Sequence, residues 1–140
     1  MKKAEFSINE AERYIQNARQ ILSEKAKKDG KFYGDHKYVK MAGHTAWCGV
    51  LVALDTVLDV RDKLKKNQRP EYRDYLDAVY KKDTRLVKPF QVAYDILHKS
   101  LGYDGTLSYA VAQEGLEVAN SIIEWASEQE EGVGKRHNEC

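Results

Sequence analysis

The stretch from Asp35 to Leu64, DHKYVKMAGHTAWCGVLVALDTVLDVRDKL, constrains this chain more than any other. It is the longest apolar segment with helical periodicity, and it opens on aspartate, a residue suited to cap a helix. Val39, Ala42, Ala46, Val50, Ala53, Val57 and Leu64 form one apolar line, and Trp47, Leu51, Leu54 and Leu58 form a second. Two such lines cover more than half the circumference, so this helix has to be buried from more than one side. Ala42, Gly43, Ala46, Gly49 and Ala53 add a stripe of small residues that lets other backbones approach closely. Each glycine costs about 1 kcal/mol of helix propensity relative to alanine, which close packing must offset.

The flanking segments supply the partners. A helix from about Ile8 to Lys28 carries Ile8, Ala11, Ile15, Ala18, Leu22 and Ala26 on one stripe. Ser7 and Glu10 stand at the spacing of a reciprocal capping box. Gly30 reads as a left-handed stop, and Gly30–Gly34 as a short connection to an antiparallel neighbour. Beyond the central helix, Pro70 and Glu71 suit a first turn. The third helical pattern runs through Tyr72, Leu76 and Val79, then resumes with Leu86, Phe90, Ala93, Tyr94, Leu97 and Leu101. Asp83, Thr84 and Pro89 interrupt it, so the third helix is expected to be kinked or split near residues 82–89. A fourth helix, from about Thr106 to Glu128, turns Leu107, Val111, Gly115, Val118, Ile122 and Trp125 inward. The expected fold is all-α: an up-down-up-down four-helix bundle in one domain over residues 1–128. Residues 129–140 are read as a disordered tail, because they have almost no apolar side chains.

Only two prolines in 140 residues argue against a loop-rich β fold. No apolar run reaches the length of about 18 residues needed to span a bilayer, so no membrane role is expected. Two cysteines do not make a disulfide framework, which points to a reducing, cytoplasmic setting. Net charge is +1, so no global field directs the chain to nucleic acid. The charge is nonetheless segregated. Residues 61–88 hold ten basic and five acidic side chains, whereas 104–131 hold seven acidic and none basic. Arg61, Lys65, Lys66, Arg69 and Arg73 form a candidate basic patch, with Tyr72, Tyr75 and Tyr80 available to stack on bases. The interspersed Asp62, Glu71, Asp74, Asp77 and Asp83 fit an ordinary solvated surface equally. Opposite charges on two parts of one surface also suit self-association.

The chemistry-bearing residues are few. His44 and Cys48 share a helix face but lack the further ligands of a zinc site, so they read as a helix–helix contact. Asp95 and His98 have half of the carboxylate–histidine spacing of a di-iron bundle, and the second half is missing. No metal or cofactor is therefore expected. Cys48 sits in an apolar run that raises its pKa, and neither a Gly-x-Ser-x-Gly elbow nor a phosphate-cradling glycine loop is present. The most concentrated polar–aromatic group is Tyr94, Asp95, His98, Tyr103 and Asp104, a candidate binding or acid–base site. Its structural alternative is a loop lock, with His98 and Asp104 holding the turn and Tyr103 packed over the helix end.

The motifs YVKMAGHTAW–GVL–AL in Tyr38–Leu54, AYDILH in Ala93–His98 and GYDG in Gly102–Gly105 resemble a small bacterial all-helical family classed as a domain of unknown function. More distantly, the layout resembles the HEPN superfamily of small helical bundles. That resemblance implies frequent dimers, and ribonuclease or toxin components paired with nucleotidyltransferases. The superfamily's catalytic mark is an arginine followed, after four to six residues, by a histidine. His98 has Ala93, Val92 and Gln91 at those offsets, and His44 has Val39, Tyr38 and Lys37, so the mark is absent. The expected function is thus a non-catalytic bundle that acts as a homodimer, another homo-oligomer or a protein-binding module. RNA binding or an atypical HEPN-like nuclease is the alternative.

Overall fold

The computed structural model describes residues 6–62 and 64–139, with side chains to residue 130. Among them the chain is all-α apart from one small hairpin. Helix α1 (Ile8–Ile21) widens into a π turn over Leu22–Ala26, and strands β1 (Lys28–Asp29) and β2 (Phe32–Tyr33) follow. Then come α2 (His36–Val57), α3 (Tyr72–Lys82), a 3-10 turn (Thr84–Leu86), α4 (Val87–Ala93) and α5 (Tyr109–Glu139). Helix α4 continues as a π-helix over Tyr94–Tyr103.

The central helix is α2, which packs against α1, α5 and the π segment after α4. Val39, Ala42, Ala46, Val50, Ala53 and Leu54 are all essentially inaccessible to solvent. The small-residue stripe sets two close approaches. A β-carbon built at Gly43 would fall 2.6 Å from the Gly102 nitrogen and 2.8 Å from the Leu97 carbonyl oxygen. One built at Gly49 would fall 2.9 Å from Tyr14 Cβ and 3.1 Å from the Ala11 carbonyl oxygen. Glycine at each point thus lets a neighbouring helix seat itself on α2 at backbone distance.

Helix ends follow their local chemistry. Ser7 Oγ accepts from the Glu10 N–H at 3.0 Å. The reciprocal half of that expected box is absent, because the Glu10 carboxylate meets Arg13 at 3.2 Å instead. Asp35 accepts from the Lys37 N–H at 2.9 Å and starts α2. That helix ends at Val57, not at Leu64 as its apolar line suggests. Leu58 and Val60 are buried outside the helix, and Arg61 folds back to Asp55 at 3.2 Å. On a continuing helix, residues six apart are about 120° apart around the axis and about 9 Å apart along it, so that pair fits a chain that turns. The third helical pattern divides at Asp83, and Pro89 falls in the first turn of α4, where its missing N–H costs nothing.

Two features depart from the sequence reading. The connection at Gly30 is a hairpin, with Lys28 opposite Tyr33 and Asp29 opposite Phe32. It gains a third partner from the segment before α5, since Tyr33 N–H donates to the Leu107 carbonyl and Tyr109 N–H to the Lys31 carbonyl. Helix α5 continues through Gln129 and Glu130, so residue 128 is not a helix end; the rest of the expected tail lies outside the residues with described side chains.

Candidate functional site

Phe90, Tyr94 and His98 recur every fourth residue along α4 and its π extension, so their rings share a face. Tyr72, at the start of α3, lies on this row. Its ring stacks on Phe90 at 5.3 Å and on Tyr94 at 4.0 Å, and Tyr94 stacks on His98 at 5.0 Å. From α2, Trp47 backs the row at 5.5 Å from Phe90, 5.4 Å from Tyr94 and 6.0 Å from His98. His44, one turn before Trp47, meets His98 edge-on at 5.8 Å. Phe90 and Trp47 are buried, Tyr72, Tyr94 and His98 are half-buried, and His44 is exposed. The result is an aromatic wall with two imidazoles at one end.

His98 is the chemically distinctive member. Its Nδ1 is buried and has no hydrogen-bond partner among the described residues. Burial, followed by the charges of His44 and Lys99, pushes its pKa down. The ring is therefore neutral at neutral pH and holds a donor or acceptor in reserve. Beside the wall an open cleft of about 410 Å³ is lined by Tyr72, Tyr94, Lys88, Gln91, Asp95 and Lys99.

Of the predicted polar site, the fold brings Tyr94 and His98 together and adds His44. Asp95 is exposed and pairs with Lys99 at 3.8 Å, whose ammonium also lies 5.1 Å from the Tyr94 ring centre. The loop lock is made differently from the expected one. Asp104 contributes its backbone N–H to the Lys99 carbonyl, Gly105 donates to Leu101, and Thr106 donates to Ser100. His36, rather than His98, reaches the turn, with Nδ1 2.8 Å from the Gly105 carbonyl oxygen. Tyr103 is 78% exposed and does not pack over the helix end.

The basic group is dispersed. Arg61 is bound to Asp55 and lies over the Phe6 ring at 4.9 Å. Lys65, Lys66, Arg69 and Arg73 are exposed on the loop after α2 and the start of α3. Asp59, Asp62, Asp74 and Asp77 line a cleft of about 420 Å³ in the same region, so the positive field is interrupted. Tyr75 is not available for stacking: it is buried, and its hydroxyl donates to Asp55 at 2.7 Å. Burial and the Asp55 carboxylate push its pKa well up.

The outer face of α2 was not legible as a site. Met41, His44 and Cys48 stand at helical spacing, and all three are exposed; His44 nonetheless makes the interhelical contact that its sequence context suggests, through His98. Partial burial raises the Cys48 pKa. No lysine, arginine, aspartate or glutamate occurs between Met41 and Leu54, and that absence is the signal by which this face could have been found. No group of three His, Cys, Asp or Glu side chains able to hold a metal ion is found among the described residues.

The fold and this surface define a small all-α bundle protein with an aromatic–histidine wall beside a neutral helix face. The chain belongs to the family described as "Domain of unknown function (DUF5618)", whose model matches residues 6–128. It is similar to a solved protein of unknown function from Dyadobacter fermentans at 37% identity and a TM-score of 0.77, covering 87% of this chain and 94% of that one. No curated protein matches the chain. No helix among the described residues is long and apolar enough to cross a membrane.

Proposed function

We propose that this protein works by association: two copies meet through the outer face of α2 and form a homodimer in a bacterial cytoplasm. The observation that carries this reading is the uncharged run Met41–Leu54, whose outer line of Met41, His44 and Cys48 faces solvent. The other faces of the same helix are closed by α1, α5 and the π segment. A solvated helix face ordinarily carries charge, and this chain is 32% charged, so the absence of charge at all three exposed positions of this run favours a surface kept for contact. The half-exposed rings of Tyr94 and His98 border the face, and aromatic residues are enriched at interface centres. The basic 61–88 and acidic 104–131 segments supply complementary fields for a second copy.

Sedimentation equilibrium tests the reading. The protein is expected to be dimeric, and Cys48→Arg is expected to weaken the dimer at least about tenfold, because it buries an unpaired charge. A wild-type protein that stays monomeric at high concentration contradicts it.

One observation favours a second, HEPN-like reading directed at RNA. His98 is held neutral in ring contact with His44, and two adjacent imidazoles can divide the roles of general acid and base. The stacked Tyr72 and Tyr94 would then hold a base, and Lys88 and Lys99 a phosphate. RNA binding measured against salt concentration, with His98→Gln and a Lys65→Ala, Lys66→Ala, Arg69→Ala variant, separates the two. No binding at low salt ends the RNA reading.

A further inference from the structure

A third cleft, of about 830 Å³, lies at the hairpin end of the bundle and includes no residue of the aromatic wall. Its walls are the last turns of α1, the π turn, the hairpin and the first turns of α5. Arg19, Lys27 and Lys28 line it, and no aspartate or glutamate does. Arg19 and Lys27 have no ion-pair partner among the described residues. Lys28 is steered by a ring, with its ammonium 4.2 Å from the centre of Tyr109. The neutral lining is rich in hydrogen-bonding groups: the amides of Gln16, Gln20 and Gln113 and the ring of Tyr33.

The backbone at Lys27 is fixed. The π turn ends on Lys27, whose φ of 52° is a left-handed value uncommon in a residue other than glycine. Two hydrogen bonds from the Gly34 N–H, to the Ala26 and Lys27 carbonyls, clamp that conformation. Complementation of the α1 dipole explains basic residues at this end. It does not explain why Arg19 of α1 and the Lys27–Lys28 pair that leads into the hairpin share one concavity that no carboxylate lines. The Glu24 carboxylate, which accepts from Gln20 at 3.4 Å, lies outside the lining.

We propose that this cleft binds a small phosphate monoester with a hydroxyl-bearing body. Arg19 and Lys27 take the phosphate oxygens, and the glutamine amides and the Tyr33 hydroxyl take the hydroxyl groups. The volume suits such a ligand, since small-molecule sites span about 300–1,000 Å³. The site is separate from the α2 face, so it stands or falls independently of dimer formation.

Titration calorimetry on the full chain with ribose 5-phosphate and with ribose tests the proposal. Saturable binding of ribose 5-phosphate is expected, with none of ribose. Arg19→Gln with Lys27→Gln is expected to weaken binding by at least about tenfold, the effect of losing one charge-assisted hydrogen bond. Circular dichroism checks that this variant remains folded, and Lys65→Gln with Lys66→Gln, remote from the cleft, is expected to bind as wild type. Three results would overturn the proposal: no saturation at about 10 mM, where binding would contribute under 3 kcal/mol; equal affinity in the folded Arg19→Gln, Lys27→Gln protein; or equal loss in the remote variant.

Discussion

The outer face of α2 and the loop that follows it are sequence neighbours with opposite characters. The loop is charged and conspicuous in the sequence, yet Arg61 is paired with Asp55, Lys65 and Lys66 are exposed, and aspartates line the cleft beside them. The α2 face carries no charge from Met41 to Leu54 and is inconspicuous, yet its Met41, His44 and Cys48 are exposed, with His44 touching His98 at its edge. The difference teaches that exposed charge on a small protein is weak testimony to function. Exposed neutrality on a helix otherwise packed on several sides says more.

The largest expected effect tests whether the two sides of α2 differ as described. Gly43→Ala drives a β-carbon into the Leu97–Gly102 backbone and should lower stability by about 3 kcal/mol, read from chemical denaturation. Met41→Ala, on the outer side of the same helix, should leave monomer stability nearly unchanged. Next comes the anchor of the loop. Asp55→Ala leaves the buried Tyr75 hydroxyl without its acceptor and should cost about 2 kcal/mol. Adding Tyr75→Phe should recover part of that loss, a non-additivity that identifies the pair.

Asp83 provides a pH test away from both regions. Two bonds from the Arg85 side chain, one from Trp125 Nε1 and one from the Arg85 N–H lower its pKa from 3.8 to about 2. A depressed carboxylate stabilises the folded state above its unfolded pKa and loses that contribution as pH falls. Wild-type Tm should therefore fall between pH 4 and pH 2. In Asp83→Asn this share of the fall should be missing. The smallest effect belongs to the loop: Lys65→Ala, Lys66→Ala and Arg69→Ala together should change stability by no more than about 0.5 kcal/mol and leave association intact.

Much of the fold was legible. The period of the apolar residues placed the helices, the small residues of α2 named the close approaches, and Asp83 with Pro89 marked the break in the third pattern. The end of α2 was not legible, because a long-range tie from Asp55 to Tyr75 and Arg61 overrides the apolar line that continues to Leu64. Nor was the hairpin, whose two-residue strands are too short to show alternation. The candidate site was half legible. AYDILH singled out Tyr94 and His98, but only the fold brings Tyr72 and His44 against them from other helices. The cationic cleft draws on residues from α1, the hairpin and α5, so no single stretch of sequence announces it.

Cys48 lies on the α2 face and reports on it directly. In a Cys140→Ser background, the rate at which iodoacetamide alkylates Cys48 is measured as a function of protein concentration. The rate is expected to fall as concentration rises through the dimer range, and to be faster and concentration-independent once Met41→Arg breaks the dimer. A Cys48 rate that is constant across concentration while the protein sediments as a dimer would place the interface elsewhere and contradict a dimer formed through this face.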